Sequence, residues 1–313
     1  MIVRGLFVAL CCICNANVLA AEPPITAVTF SPDAQKVVVA SQQGVEVYRW
    51  PSLEREDEFA AKLKPYAPNV HAVVFSPIGD RIAVGGGVPA DEWFVHVFSW
   101  PELKPVAMLN RHTDSVKDVA WLDNVTLASA SLDHQVIVWN VPRTNPIHIL
   151  KGHSRGVMAL AYVPSKKILV SAGIDQSLRV WDTDSWSLIH SLGIHTLPVN
   201  DLALRPGNHG LPMVASASDD RSVRLWQPSI GRMVRFARLK SKPLAIAWSP
   251  NGDRILAVCT DGQMRSINPD TVEVLETKPV VEGWAYCVST DLTENQVVSG
   301  GSDGQLVRIR FSR

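Results

Sequence analysis

Three sets of four residues recur along this chain with side chains that could do hydrolytic chemistry. His112, Ser129, Asp133 and Trp139 form the first, His153, Ser171, Asp175 and Trp181 the second, and His195, Ser216, Asp220 and Trp226 the third. In each set Asp follows Ser by four residues and Trp follows Asp by six. Ser, His and Asp within one set could act as nucleophile, base and orienting acid. The three His could instead ligate one metal ion. Repetition argues against both. A catalytic centre needs one copy, and His side chains on separate repeats lie too far apart to share an ion. A buried hydrogen-bonded network that holds each repeat together accounts for the Trp as well. No catalytic residue, metal ligand or cofactor site is therefore expected.

The elements that must position these residues are short strands. Apolar runs at 25–30, 70–75, 116–121, 157–162, 199–204, 243–248 and 283–288 follow one another at steps of 40 to 46 residues. Such a period is that of a four-stranded antiparallel unit. Tyr48, Phe98, Trp139, Trp181, Trp226, Ile267 and Ile309 occupy one equivalent slot, and all are apolar or aromatic, as a packing position requires. Ser-Pro pairs at 31–32, 76–77 and 249–250 each close a first strand, where Pro pre-sets the turn.

The central stretch carries a family resemblance. Lys151-Gly152-His153, the strand-like Val157–Tyr162, then Asp175 and Leu178-Arg179-Val180-Trp181-Asp182 resemble one WD repeat, a blade of a β-propeller. The resemblance is fullest in the three central repeats and extends over residues 25–313. It implies an all-β, seven-bladed propeller of four-stranded antiparallel blades over residues 21–313. It also implies that the His, Ser, Asp and Trp of each set are linked by hydrogen bonds for structural reasons. The last blade is expected to have three strands, because Arg313 lies just past its third. Its bare edge would be open to strand addition by a partner.

Composition narrows the function. The 313 residues include 30 basic and 30 acidic side chains, with no basic stripe, so nucleic-acid binding is not expected. Residues 1–20 hold a single charge, Arg4, ahead of an apolar run and small residues at Ala20-Ala21. They read as a cleaved secretory signal peptide, too short for a membrane span, with an uncleaved anchor as the alternative, and place the protein in the periplasm or outside the cell. Cys259 and Cys287 remain after that cleavage, on predicted strands of neighbouring blades where they could pair, although two small buried apolar side chains are the favoured reading.

Residues without a packing duty are the better functional candidates. In WD proteins the residue after the first strand's opening residue faces the central mouth. Here those are Thr26, His71, Lys117, Met158, Asn200, Leu244 and Trp284, with Leu132, Ile174, Asp219, Thr260 and Ser302 nearby. A rim mixing aromatic, Met and aliphatic groups with few charges suits a protein or peptide partner. The family implies a non-catalytic interaction scaffold, here outside the cytoplasm. The alternatives are a small-ligand or glycan binder using Trp284, and a lactonase- or hydrolase-like propeller. The absence of clustered carboxylates at the predicted mouth counts against the last.

Overall fold

A computed structural model describes residues 22–59, 69–207, 209–291 and 295–312, and its strands form seven sheets. Blade 1 holds β1 (Ile25–Phe30), β2 (Lys36–Ser41), β3 (Gly44–Arg49) and β4 (Glu54–Arg55). Blade 2 holds β5 (Val70–Phe75), β6 (Arg81–Gly86), β7 (Phe94–Ser99) and β8 (Pro105–Leu109). Blade 3 holds β9 (Val116–Trp121), β10 (Thr126–Ser131), β11 (Gln135–Asn140) and β12 (Asn145–Lys151). Blade 4 holds β13 (Val157–Val163), β14 (Ile168–Gly173), β15 (Leu178–Asp182) and β16 (Leu188–Leu192).

Blade 5 holds β17 (Val199–Leu204), β18 (Val214–Ser218), β19 (Ser222–Gln227) and β20 (Arg232–Arg238). Blade 6 holds β21 (Pro243–Trp248), β22 (Ile255–Cys259), β23 (Gln263–Ile267) and β24 (Val274–Pro279). Blade 7 holds β25 (Ala285–Thr290), β26 (Gln296–Gly301) and β27 (Leu306–Arg310). Every blade pairs its strands in sequence order and antiparallel, with four strands in six blades and three in the seventh. This is the seven-bladed propeller that the spacing predicts. The outer strand expected around 53–63 is only two residues long, and the residues after 59 lie outside those described.

The core is a ring of seven apolar clusters, one between each pair of neighbouring blades. Trp139 and Val116 of blade 3 pack on Val97 and Leu109 of blade 2, while Trp226 of blade 5 packs on Val170 and Val180 of blade 4. Each middle strand is buried on both faces, which explains continuous apolar runs such as Lys36–Ser41 with a burial pattern of near-complete enclosure. The ring closes where Ile25, Phe30 and Val39 of blade 1 meet Cys287 and Val298 of blade 7. At that joint the Trp50 indole N–H donates to Asp291 at 2.7 Å and Arg308 donates to the Pro51 carbonyl at 3.1 Å.

Turns between second and third strands follow one local rule in blades 3 to 7. The carboxylates of Asp133, Asp175, Asp220, Asp261 and Asp303 accept the backbone N–H two residues on, at 3.0, 3.2, 3.0, 3.3 and 3.4 Å. The intervening residue takes a positive φ in every case, at His134, Gln176, Arg221, Gly262 and Gly304. An Asp at this place stabilises the tight turn with its own side chain. The same Asp is then aimed at the loop that enters the blade.

Candidate functional site

The three His-Ser-Asp-Trp sets assemble within their own blades. In blade 3 the Trp139 indole donates to Ser129 Oγ at 2.8 Å, Ser129 meets His112 Nε2 at 2.7 Å, and His112 Nδ1 meets Asp133 at 2.7 Å. Blade 4 repeats this through Trp181, Ser171, His153 and Asp175 at 2.9, 2.9 and 2.9 Å. Blade 5 does so through Trp226, Ser216, His195 and Asp220 at 2.8, 2.7 and 2.8 Å. Proton counting orders each chain. An indole can only donate and a carboxylate only accepts, so a neutral imidazole carries its proton on Nδ1 and the Ser hydroxyl donates to Nε2.

This linkage has the connectivity of a hydrolytic triad but no access. The Ser129, Ser171 and Ser216 side chains are fully buried and each already accepts an indole N–H. Burial pulls the His195 pKa down, so its ring is held neutral. Burial alone would raise the carboxyls of Asp133, Asp175 and Asp220, but His, Ser and backbone donors outweigh it and hold all three below the usual range. Among the described residues no group of three or more His, Cys, Asp or Glu is placed to hold a metal ion. In blade 6, where Leu239 and Ala257 replace His and Ser, the buried Arg265 pairs with Asp261 instead.

The central channel forms a cavity of about 610 Å³ lined by Thr26, His71, Lys117, Met158, Asn200 and Leu244, six of the seven rim candidates. A β-bulge puts them there. In all seven inner strands the ladder skips one residue, at Thr26, His71, Lys117, Met158, Asn200, Leu244 and Tyr286. A bulged residue opposes nothing on its partner strand, and its side chain is re-aimed. Trp284 is not in this ring. The seventh inner strand begins at Ala285, two residues later than the sequence suggests, so Tyr286 takes the bulge position. Trp284 stands above it, 52% exposed, with its ring edge-on to Tyr286 at 6.1 Å.

The seven bulge residues divide by chemistry. Thr26 Oγ1 donates across the blade joint to the Val70 carbonyl, and Asn200 Nδ2 makes the same link to Pro243, besides contacting Asp219. His71 Nε2 bonds the Gly87 carbonyl at 3.0 Å, and burial beside Lys117 pulls its pKa to about 4. These three are structural staples. Lys117, Met158, Leu244 and Tyr286 line the cavity without such a link.

Sequence reasoning missed two carboxylates one residue further in. Asp118 accepts the N–H of Val119 at 2.8 Å and of Leu160 in the next blade at 2.7 Å. Asp201 accepts those of Leu202 at 2.7 Å and of Ile246 at 2.8 Å. Both face the channel, and burial pushes them up to about 8 and about 6. Their position directly after a bulge was the available signal. Cys287 lines the same channel, and both Cys259 and Cys287 are buried and free.

Comparison with known proteins agrees with the repeat geometry. The family model "WD domain, G-beta repeat" matches residues 103–140, 144–182 and 186–227, the segments that carry the three complete networks. Nuclear distribution protein nudF of Aspergillus flavus is 33% identical over 113 residues, 34% of this chain and 24% of that protein. Coronin-7 of Bos taurus is 30% identical over 180 residues, 54% of this chain and 15% of its own length. UBP9-binding protein bun62 of Schizosaccharomyces pombe is 31% identical over 126 residues, 38% of this chain and 22% of its own. The chain thus covers less than a quarter of the length of each of these three relatives. Blades 3 to 5 thus match the WD-repeat family, and they are set in a closed β-propeller of seven blades.

Proposed function

We propose that this protein is a non-catalytic scaffold outside the cytoplasm that docks a protein or peptide on the face bearing the channel mouth. One observation carries the docking surface. Lys117, Met158, Leu244 and Tyr286 line an open cavity without a stapling hydrogen bond, and Ile194, Leu197 and Trp284 are exposed in the loops that enter blades 5 and 7. Exposed aromatic and aliphatic side chains around a concave centre are the usual make-up of an interface core. A relative with "binding protein" in its name, bun62, supports a protein as the partner. No helix among the described residues is long and apolar enough to cross a membrane.

The test is purification of tagged protein from its host's exported fraction, beside a folded Met158→Ser, Leu244→Ser, Trp284→Ala variant. A stoichiometric protein lost in the variant is the expected result. A partner retained in full would move the site off this face. The export reading rests on residues 1–20, which lie outside those described, and recovery of the protein in the cytoplasmic fraction with Met1 intact would end it.

A second docking mode rests on blade 7. Among the described residues β27 has no outer neighbour, whereas the third strand of every other blade does. An unpaired edge accepts an added strand. Its outward amides should exchange rapidly in the isolated protein and slow on partner binding; strong protection of Leu306–Ile309 in the monomer would exclude it.

A further inference from the structure

We propose that the channel mouth reads a carboxylate, the Lys117 ammonium receiving an Asp or Glu side chain from an extended partner segment that crosses the face. The inference deepens the docking role proposed above and rests on it. Of the seven bulge side chains Lys117 alone is cationic at neutral pH, since His71 is held neutral by burial and by Lys117 itself. Among the described residues no carboxylate lies within ion-pair distance of its ammonium. Asp114 attracts it from further off, and that carboxylate already accepts the N–H groups of Ala90 at 3.0 Å and Ser115 at 2.7 Å. Asp118, next along the strand, is engaged by two backbone N–H groups and is pushed by burial to about 8. The mouth therefore presents one half-buried ammonium without an ion-pair partner, while the other channel carboxylate, Asp201, is taken up by the N–H groups of Leu202 and Ile246.

Burial pulls the Lys117 pKa down, which is the mark of an ammonium short of solvation. A ligand carboxylate restores that solvation through charge-assisted hydrogen bonds. A single ammonium matches a singly charged carboxylate, whereas a phosphate group carries close to two charges and calls for a cluster of cations. Met158 and Leu244 give the same cavity an apolar lining, and Tyr286 completes it. Exposed apolar groups stand in the loops that enter two other blades, Ile194 and Leu197 before blade 5 and Trp284 before blade 7. A segment that reaches both of these loops as well as Lys117 of blade 3 extends beyond the carboxylate, so an internal side chain fits better than a chain terminus.

The experiment uses the whole protein and three pools of acetylated, amidated nonapeptides with apolar-biased flanks and Glu, Gln or Lys fixed at the centre. Retention of labelled peptide is measured on wild type, Lys117→Met, Lys117→Glu and Leu244→Ser, each checked for native circular dichroism. Wild type should hold the Glu pool about tenfold more tightly than the Gln pool, the scale of one charge-assisted bond. Lys117→Met should erase that preference, and Lys117→Glu should turn it toward Lys. A Glu preference that survives in Lys117→Met overturns the proposal. Equal binding of the Glu and Gln pools that is lost in Leu244→Ser overturns it while leaving the docking face standing. Failure of every pool to bind wild type overturns both.

Discussion

The indole of Trp181 donates to the Ser171 hydroxyl at 2.9 Å, and that hydroxyl has a single proton, which goes to His153 Nε2 at 2.9 Å. Ser171 is thus the junction through which the third strand of blade 4 holds the loop that enters the blade. Replacing it strands a donor and an acceptor together in a buried place.

Ser171→Ala should therefore cost about 2–4 kcal/mol, the penalty for two unsatisfied buried groups. Ser299 offers the contrast, because its hydroxyl donates only to the Cys287 carbonyl at 2.7 Å, in a blade with Ile309 in the Trp slot. Ser299→Ala should cost about 1 kcal/mol, the net worth of one hydrogen bond. Urea unfolding of both variants checks the order; equal losses would mean that the network is not the unit of stability.

Acid should weaken the fold in two windows. The folded pKa of His195 is pulled down by burial, so the unfolded state takes its proton first and stability falls as pH drops below about 6.5. Asp175 and Asp220 are held below the usual range, so their contribution is complete above about pH 4 and is lost as pH falls further. His195→Gln should remove the upper window and keep the lower one in a pH series of unfolding free energies.

Asp118 works in the opposite direction. Its folded pKa is raised to about 8 by burial, so the folded state keeps a proton that the unfolded state has released. Its contribution falls as pH rises from about 4 toward that value, by at most about 1.4 kcal/mol per pH unit. The stability of wild type relative to Asp118→Asn should decline steadily between pH 5 and 8. A difference that stays flat would show Asp118 to be ionised in the folded channel.

Burial pushes the Cys259 thiol up to about 11 and the Cys287 thiol up to about 12. Neither supplies thiolate near neutrality, and thiolate is the reactive form. Iodoacetamide at pH 8 should leave both unlabelled in the folded protein and label both in urea, as read by peptide mass mapping. Rapid labelling of Cys287 in the native protein would show the channel open to reagents at that depth.

The repeat can be read from the order of residues alone. Strand, turn and Asp spacing are local matters: alternation sets the strands, and an Asp two residues before the capped N–H makes its own turn. The Trp slot was legible too, since Trp139, Trp181 and Trp226 must each fill the gap to the preceding blade. Blade 7 shows the limit of such reading, where a two-residue error in the strand start exchanged Tyr286 for Trp284 in the ring. A slip of two residues keeps the face but puts Trp284 ahead of the strand, so the residue at the bulge is set by where pairing begins.

Only the tertiary structure decided what the channel residues do. Thr26, His71, Asn200 and Lys117 share one repeat position, yet three have hydrogen-bond partners and the fourth stays unpaired. The Thr26 and Asn200 partners are backbone carbonyls of the neighbouring blade, more than forty residues away along the chain. The same holds for Asp118 and Asp201, whose burial and raised pKa values exist only because seven blades close around them. Charge, solvation and pairing depend on distances through space, and those are set by ring closure rather than by any one repeat.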